Sequence, residues 1–265
     1  MLAAYYRTAT RLGFQASIQY RAAVAIGLFG FFVEPAIYLV VWQTVADSQG
    51  GSVSGFTSGQ IAAYYIVWTL VRVYNLAFTP YGWEWRIRGG RLNEFLSRPY
   101  NPFHRDFTYF AGTKVTWTIF WIPVALGLSW AFKPDLHPGW VEIVGFGVAL
   151  WGAFLLRFAM LYLMGLVTFW TTRSQAIFEI LIAGELLLSG RLVPIEFMPK
   201  TVQTIAAWLP YKWTFQFPID VLIGRSDPAR MVGGVGMQLL WAAGLLVVYG
   251  VVWKRAVRRY TAVGG

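Results

Sequence analysis

Hydrophobic positions fall into six long runs, at about 22–46, 61–83, 112–132, 141–170, 175–190 and 231–253, and the longest segment between them is 191–230. A helix needs about 20 apolar residues to cross the hydrocarbon core of a bilayer. These runs therefore predict six transmembrane helices, the fourth long enough to tilt or to project beyond the bilayer. The fifth is short and is interrupted by Glu179 and Glu185. Ahead of the first run, Leu2, Tyr5, Tyr6, Ala9, Leu12, Ala16 and Tyr20 share one side of a helical projection, and Arg7, Arg11 and Arg21 share the other. That pattern predicts an amphipathic helix over 1–21 lying on the cytoplasmic leaflet. Phe14 and Ile18 fall on its basic side, and a cytoplasmic extension of the first span is the alternative. Residues 48–59 (SQGGSVSGFTSG) predict a flexible polar loop. Residues 1–21 have no apolar core and no small-residue cleavage site, so the first span is expected to target the chain to the membrane.

Composition agrees with an all-α membrane protein forming a single transmembrane domain over 1–265. Hydrophobic residues make up 57% of the chain and charged residues 13%, and mean hydropathy is +0.52. A soluble domain carries about 25% charged residues. The 14 tryptophans suit two membrane interfaces. The net charge of +10 changes the picture only through its distribution. Placing both termini inside puts Arg7, Arg11, Arg21, Arg86, Arg88, Arg91, Arg98, Arg105, Lys114, Arg173, Lys254, Arg255, Arg258 and Arg259 on the cytoplasmic side. Lys133, Arg191, Lys200, Lys212, Arg225 and Arg230 remain outside. That asymmetry predicts an N-in, C-in topology. Basic residues grouped beside spans orient helices, and no nucleic-acid partner is expected.

Candidate chemistry is sparse. The chain has no cysteine, which excludes disulfides, thiolate metal sites and a cysteine nucleophile. Two histidines, His104 and His137, are too few for a multi-histidine metal site. No phosphate-binding loop is present, and no GxSxG, HExxH or SxxK motif. The chain is expected to be no enzyme and to hold no cofactor or metal. Gly145-Phe146-Gly147 lacks the third glycine of a dinucleotide fingerprint, whereas Gly145, Ala149 and Ala153 line one helix face as a close-packing seam. Five charges lie inside the predicted spans: Glu34, Arg72, Arg157, Glu179 and Glu185. A mid-bilayer charge costs about 2.5–3.5 kcal/mol on translocon scales, so these residues either contact substrate or relay protons, or else pair with one another. For Arg157 the expected partner is Glu34, and Glu179 is the next choice.

Two segments stand apart. Between the second and third spans, residues 86–99 hold Arg88, Arg91 and Arg98 and are punctuated by Gly89-Gly90 and Pro99. Leu92, Phe95 and Leu96, spaced i, i+3, i+4, predict a short helix with one apolar edge, shaped for a groove on a partner or for the lipid surface. After the fifth span, residues 191–230 carry Pro194, Pro199, Pro210 and Pro218 among aromatic residues. No single helix can contain them, and a set of short or re-entrant helices on the outer side follows.

Together these segments resemble the permeases of the ABC-2-type exporter family, in the branch whose permeases are commonly encoded as a pair beside one ATPase. Gly89–Pro99 is similar to that family's cytoplasmic motif of glycine, a basic residue, leucine and a closing Arg-Pro. The stretch from Ser189 to Gly224 is similar to its serine-glycine, proline, methionine-proline, leucine-proline and proline-to-glycine pattern, with Gly190, Pro194, Pro199, Pro210, Pro218 and Gly224 at the matching places. The basic cluster Arg86–Arg91 departs from the pattern. The resemblance implies a prokaryotic cytoplasmic (inner) membrane, a second permease subunit (a heterodimer favoured by the family habit of paired permeases, a homodimer the alternative), and a separate ATPase that carries ATP and Mg. It also implies that the 86–99 helix couples to that ATPase and that the outer helices help close the exit. A proton-coupled secondary transporter using Glu34, Glu179 or Glu185 is the second hypothesis, and a lipid-modifying membrane enzyme the third.

The charge asymmetry generates the first prediction. Single cysteines at Ser54 and Ser97 should react with an impermeant thiol reagent from opposite sides of the membrane; reaction of both in intact cells would overturn the topology.

Overall fold

The computed structural model describes residues 2–77, 80–171 and 175–260. Arg173, counted above among the cytoplasmic charges, lies outside the described residues. Twelve α-helices and one small hairpin account for most of the described chain. Among the described residues, Pro102–Phe132, Trp140–Phe169 and Pro228–Arg259 are long and apolar enough to cross a membrane.

Helix α1 (Leu2–Gln19) is separated from α2 (Arg21–Ser48) by a turn at Tyr20. It lies along the first half of α6 (Pro102–Phe132), and two glycines make the crossing close. A Cβ on Gly112 would collide with the backbone carbonyl of Thr10, and one on Gly13 with that of Tyr109. The seam is closed by Ser17 Oγ to Thr116 Oγ1 at 2.6 Å and by Tyr6 Oη to His104 Nδ1 at 2.6 Å. Small residues that admit another backbone are the usual device for helix pairing where lipid removes the hydrophobic drive. Leu12, 59% exposed, stays on the outside of this pair.

The polar segment after α2 is not simply flexible. Strands β1 (Ser52–Val53) and β2 (Phe56–Thr57) form an antiparallel hairpin, with Gly50, Gly51 and Gly55 at positive φ. The following helix α3 (Ser58–Tyr74) starts with a reciprocal cap: Thr57 Oγ1 accepts from the Gln60 amide, and Gln60 Oε1 accepts from the Thr57 amide. Nearly every residue from Ile61 to Val73 is buried, which makes α3 the centre of one of two large hydrophobic clusters.

The run 61–83 is not one helix. It stops at Tyr74, and α4 (Pro80–Arg88) begins only after residues 75–79. Pro80 has no N–H to donate, so it can open a helix but not continue one. The run 112–132 is likewise the later part of a 31-residue helix that starts at Pro102 under an Asn101 cap, whose Oδ1 accepts from the Phe103 amide at 2.9 Å. The first third of α6 was hidden because protein buries it: α1 lies along this stretch, and the Asp106 carboxylate accepts from Arg86 and Tyr162. Helix α7 (Trp140–Gly165) tightens into a 3-10 turn through Phe169, α8 covers Gln175–Leu188, and α12 covers Pro228–Arg259.

The α7–α12 packing uses the predicted small-residue seam. Ala149 and Ala153 are fully buried, and a side chain at Gly145 would press on Met231 and Val221. Gln238 in α12 donates to the carbonyls of Ala149 and Trp213, both at 2.9 Å. The second hydrophobic cluster, at the other end of α7, is mostly aromatic: Trp83, Phe103, Phe154, Phe158, Tyr162 and Tyr249 pack together.

The α1–α6 seam generates the next prediction. Gly112→Ala should lower the thermal transition of the purified protein by several degrees, because backbone cannot move aside as a side-chain tip can. Gly127→Ala, on the same helix with open space around it, should be neutral or gain up to about 1 kcal/mol from the better helix former. Equal effects of the two would show that α1 does not hold this position.

Candidate functional site

Glu34, Arg72, Arg157, Glu185 and Arg191 form one connected network. Arg157, in the middle of α7, points its guanidinium at Glu185 of α8, with Nε to Oε2 at 2.8 Å and Nη2 to Oε1 at 3.0 Å. Its Nη1 donates to the backbone carbonyl of Asn75 at 2.5 Å. Glu185 is 1% exposed and also faces Arg191 at 3.4 Å. Arg191 stands 3.7 Å from Glu34 of α2, which pairs with Arg72 of α3 at 2.7 Å. Tyr38 donates to Glu34 at 3.2 Å, and the Arg72 guanidinium lies over the Trp68 ring at 5.2 Å. Three arginines and two glutamates thus tie α2, α3, α7, α8 and the residue after the Ser189-Gly190 turn together. Burying a charge is tolerable only with such partners, because removing one leaves the other stranded at a cost of about 3–5 kcal/mol.

Four of the five charges predicted inside spans belong to this network, but the pairing differs from expectation. Arg157 takes Glu185 rather than Glu34 or Glu179. Glu179 is exposed near the start of α8 and, among the described residues, accepts from its own helix, from Gln175 at 2.8 Å. Sequence reasoning placed Arg191 in the outer segment, and placed Lys114 in a cytoplasmic loop. Lys114 is in fact buried in α6, where Nζ donates to the carbonyl of Leu76 at 2.5 Å and lies 4.4 Å from the Phe154 ring centre. The signal was present, since Lys114 falls inside the apolar run 112–132.

A second buried pair fixes the segment before and after the short helix. Arg86 meets Asp106 through two bonds, at 2.6 and 2.8 Å, and Tyr162 donates to the same carboxylate at 2.8 Å. Burial and the hydrogen bond to Tyr162 hold α4, α6 and α7 together at this point. Helix α5 (Leu92–Leu96) sits beside it, after Gly90 at φ +64°. The apolar edge of α5 does not face outward as expected. Leu92 is fully buried, Leu96 is half-buried, and Phe95 is 7% exposed in the aromatic cluster. The Phe95 ring has the guanidinium of Arg86 at 4.0 Å and that of Arg105 at 4.6 Å. A helix of five residues has no stability of its own, so its apolar edge is spent on attachment. The outward side is polar: Arg88, Arg91, Asn93, Glu94, Ser97 and Arg98 are exposed. Arg88 pairs with Glu84 at 2.8 Å, and Arg91 lies over the Trp85 ring at 4.4 Å.

At the far end, residues 189–224 form the set of short helices the prolines demand. A 3-10 turn (Ile195–Phe197) follows Pro194, and α9 (Lys200–Trp208) follows Pro199. Pro210 opens α10 (Pro210–Thr214), and Pro218 lies in α11 (Gln216–Leu222). Gln216 is the hub: its amide nitrogen donates to Glu196 at 2.7 Å and to Asp220 at 3.2 Å, and its oxygen accepts from the Ile195 amide at 2.9 Å. Burial, with Glu196 next in effect, pushes the Asp220 carboxyl up to about 7. Gly190 has φ +80° beneath Tyr64, whose hydroxyl donates to the Gly190 carbonyl at 2.6 Å. Any side chain there would strike Tyr64 and Gln216. Gly224, at φ +74°, ends α11 in open space. Among the described residues no group of three or more His, Cys, Asp or Glu could hold a metal ion.

The network generates a prediction about coupling. In a cycle of Arg157→Met and Glu185→Gln, the double variant should recover about 1–3 kcal/mol relative to the sum of the singles, read as thermal stability of the purified protein. Arg157→Met with Glu179→Gln should be additive. Additivity in the first cycle would refute the pairing.

A family model described as "ABC-2 family transporter protein" matches residues 32–264. The chain is also 24% identical, over 217 residues, to the linearmycin resistance permease protein LnrN of Bacillus subtilis. That match covers 79% of this chain and 53% of the relative, so the chain spans about half the relative's length. The glycine and proline segments at both ends of the molecule, the charge-bearing helices between them and the family match across most of the sequence lead to one conclusion: this all-α membrane protein belongs to the ABC-2 transporter family.

Proposed function

We propose that this chain is the permease subunit of an ATP-driven exporter, lining half of a translocation pathway across a prokaryotic cytoplasmic membrane. In this reading both termini are inside. Helices α2, α3, α6, α7, α8 and α12 are the six spans; α3 has 17 residues and α8 has 14, so both lie at or below the usual spanning length and lean on their neighbours. ATP and Mg belong to a partner ATPase, and a second permease subunit, different from this one, completes the pathway. The name of the Bacillus relative, a resistance permease, supports outward transport.

The observation that carries the reading is the mounting of α5. A rigid polar platform is attached to the spans by Phe95, Arg86 and Asp106 and presents its charges outward. A push on this platform moves α4, α6 and α7 together, which is what an ATPase contact requires. In this reading Arg88, Arg91, Asn93 and Glu94 meet the ATPase, while Leu92, Phe95 and Leu96 hold the platform in place. The proton-coupled alternative has less support: Glu34 and Glu185 each lie against two arginines, and Glu179 is exposed.

Arg91→Glu and Glu94→Arg should each leave the permease folded in the membrane and reduce co-purification of an ABC ATPase with the tagged chain by about tenfold, as for loss of a charged interface contact worth about 1.4 kcal/mol. Phe95→Asp should instead lower the amount of folded protein. Normal ATPase recovery and transport in both surface variants would sink the coupling assignment.

A further inference from the structure

The transport reading leaves one basic cleft unused. It lies where α1 crosses the start of α6 beside α5, with a volume of about 540 Å³. One wall is apolar and aromatic, made by Ala9 and Leu12 of α1 and by Tyr109 and Phe110 of α6. The other is basic, made by Arg98 and Arg105 beside the Arg86–Asp106 pair. A smaller recess of about 120 Å³, also bordered by Tyr5, Arg98 and Arg105, adjoins it. The size falls within the range of about 300–1,000 Å³ usual for small-molecule sites.

The charge of the cleft is not balanced. Asp106 already accepts two bonds from Arg86 and one from Tyr162. Among the described residues no carboxylate forms an ion pair with Arg98 or Arg105. Arg105 is steadied by the Phe95 ring beneath it, so its planar fork is held without being used up, an arrangement suited to a phosphate. The apolar wall continues onto the exposed side of α1 at Leu12, the side that an interfacial helix turns to lipid.

We propose that this cleft binds an anionic phospholipid of the cytoplasmic leaflet, with Arg98 and Arg105 on the phosphodiester and an acyl chain along Leu12, Ala9 and Phe110. A free phosphate would leave the apolar wall without a role, and an acidic peptide would have to enter at the level of the lipid-facing side of α1. Bound there, the lipid would bridge α1 to the platform residues. The proposal rests on the membrane reading, not on ATPase coupling, and is tested on the chain alone.

The experiment is native mass spectrometry of the detergent-purified chain titrated with phosphatidylglycerol or with phosphatidylcholine of the same acyl chains. The wild type should retain phosphatidylglycerol preferentially. Arg98→Gln and Arg105→Gln should each weaken that binding by about fivefold, and the pair by about thirtyfold, the factors for basic residues near an anionic surface. Leu12→Asn should weaken phosphatidylglycerol binding, and inorganic phosphate at millimolar concentration should fail to displace the lipid. Equal retention of the two lipids, or unchanged binding in the single arginine variants, would overturn the proposal. Displacement by inorganic phosphate together with indifference to Leu12→Asn would assign the site to a free anion instead. No retained lipid, with loss of a co-purifying protein in the arginine variants, would assign it to an acidic partner. The single variants decide the matter should the double variant fail to fold.

Discussion

A guanidinium buried between helices must have its donors answered, and Arg157 answers them from two different elements. Glu185 supplies the charge, from α8, and Asn75 supplies a backbone carbonyl, from the end of α3. The second contact explains how α3 can stop inside the protein. Where a helix ends away from water, its last carbonyls need donors, and the negative end of the helix dipole favours cations. Arg157 takes the carbonyl of Asn75 and Lys114 takes that of Leu76. The Asn75 side chain then donates to the carbonyl of Thr214 at 2.6 Å, which ties the break to the short helices at the opposite end. Two buried cations therefore answer the broken backbone, and one of them, Arg157, answers a glutamate as well.

The rest of the arrangement hangs from α7. Its middle holds the charge network through Arg157, its first half packs small residues against α12, and its last turns hold the platform through Tyr162. Tyr162 reaches Asp106, Asp106 reaches Arg86, and Arg86 covers Phe95 of α5. A displacement of α5 thus has a route of direct contacts into the same helix that carries Arg157. Continuity of contact is not coupling in itself, but it identifies α7 as the element whose two ends would have to move together in the proposed transport cycle.

Much of this was legible in the sequence, and the failures have physical causes. Each of the six apolar runs overlaps a helix, so the places of α2, α3, α6, α7, α8 and α12 were located. Runs could not show the break at Asn75, because a helix interrupted inside a protein stays apolar through the interruption. Nor could they show the first third of α6, which is covered by α1 and keeps a polar composition. The seam of Gly145, Ala149 and Ala153 was readable because small residues at helical spacing have few other uses in a membrane. Gly13 and Gly112, which set the α1–α6 crossing, were not, since each is a lone glycine whose partner is a backbone far away in sequence. In the charge network the composition foretold pairing, but partner choice depends on helix rotation, and rotation placed Glu185 inward and Glu179 outward, about one and two-thirds turns apart on the same helix.

The short helix α5 shows how a correct pattern can carry the wrong inference. Leu92, Phe95 and Leu96 do form one apolar edge, and an apolar edge on an isolated amphipathic helix would suggest a groove on a partner. A five-residue helix flanked by glycines and a proline has too few internal hydrogen bonds to persist alone. Its shape must come from packing, so the apolar residues are consumed by the chain's own core, and what remains for recognition is charge. Charged contacts contribute more to orientation and encounter rate than to affinity. For a proposed coupling element that must transmit force in register while its partner closes and opens on each ATP cycle, a firmly anchored base with a polar outer face meets both demands: the base carries the load, and the charges set where it is applied.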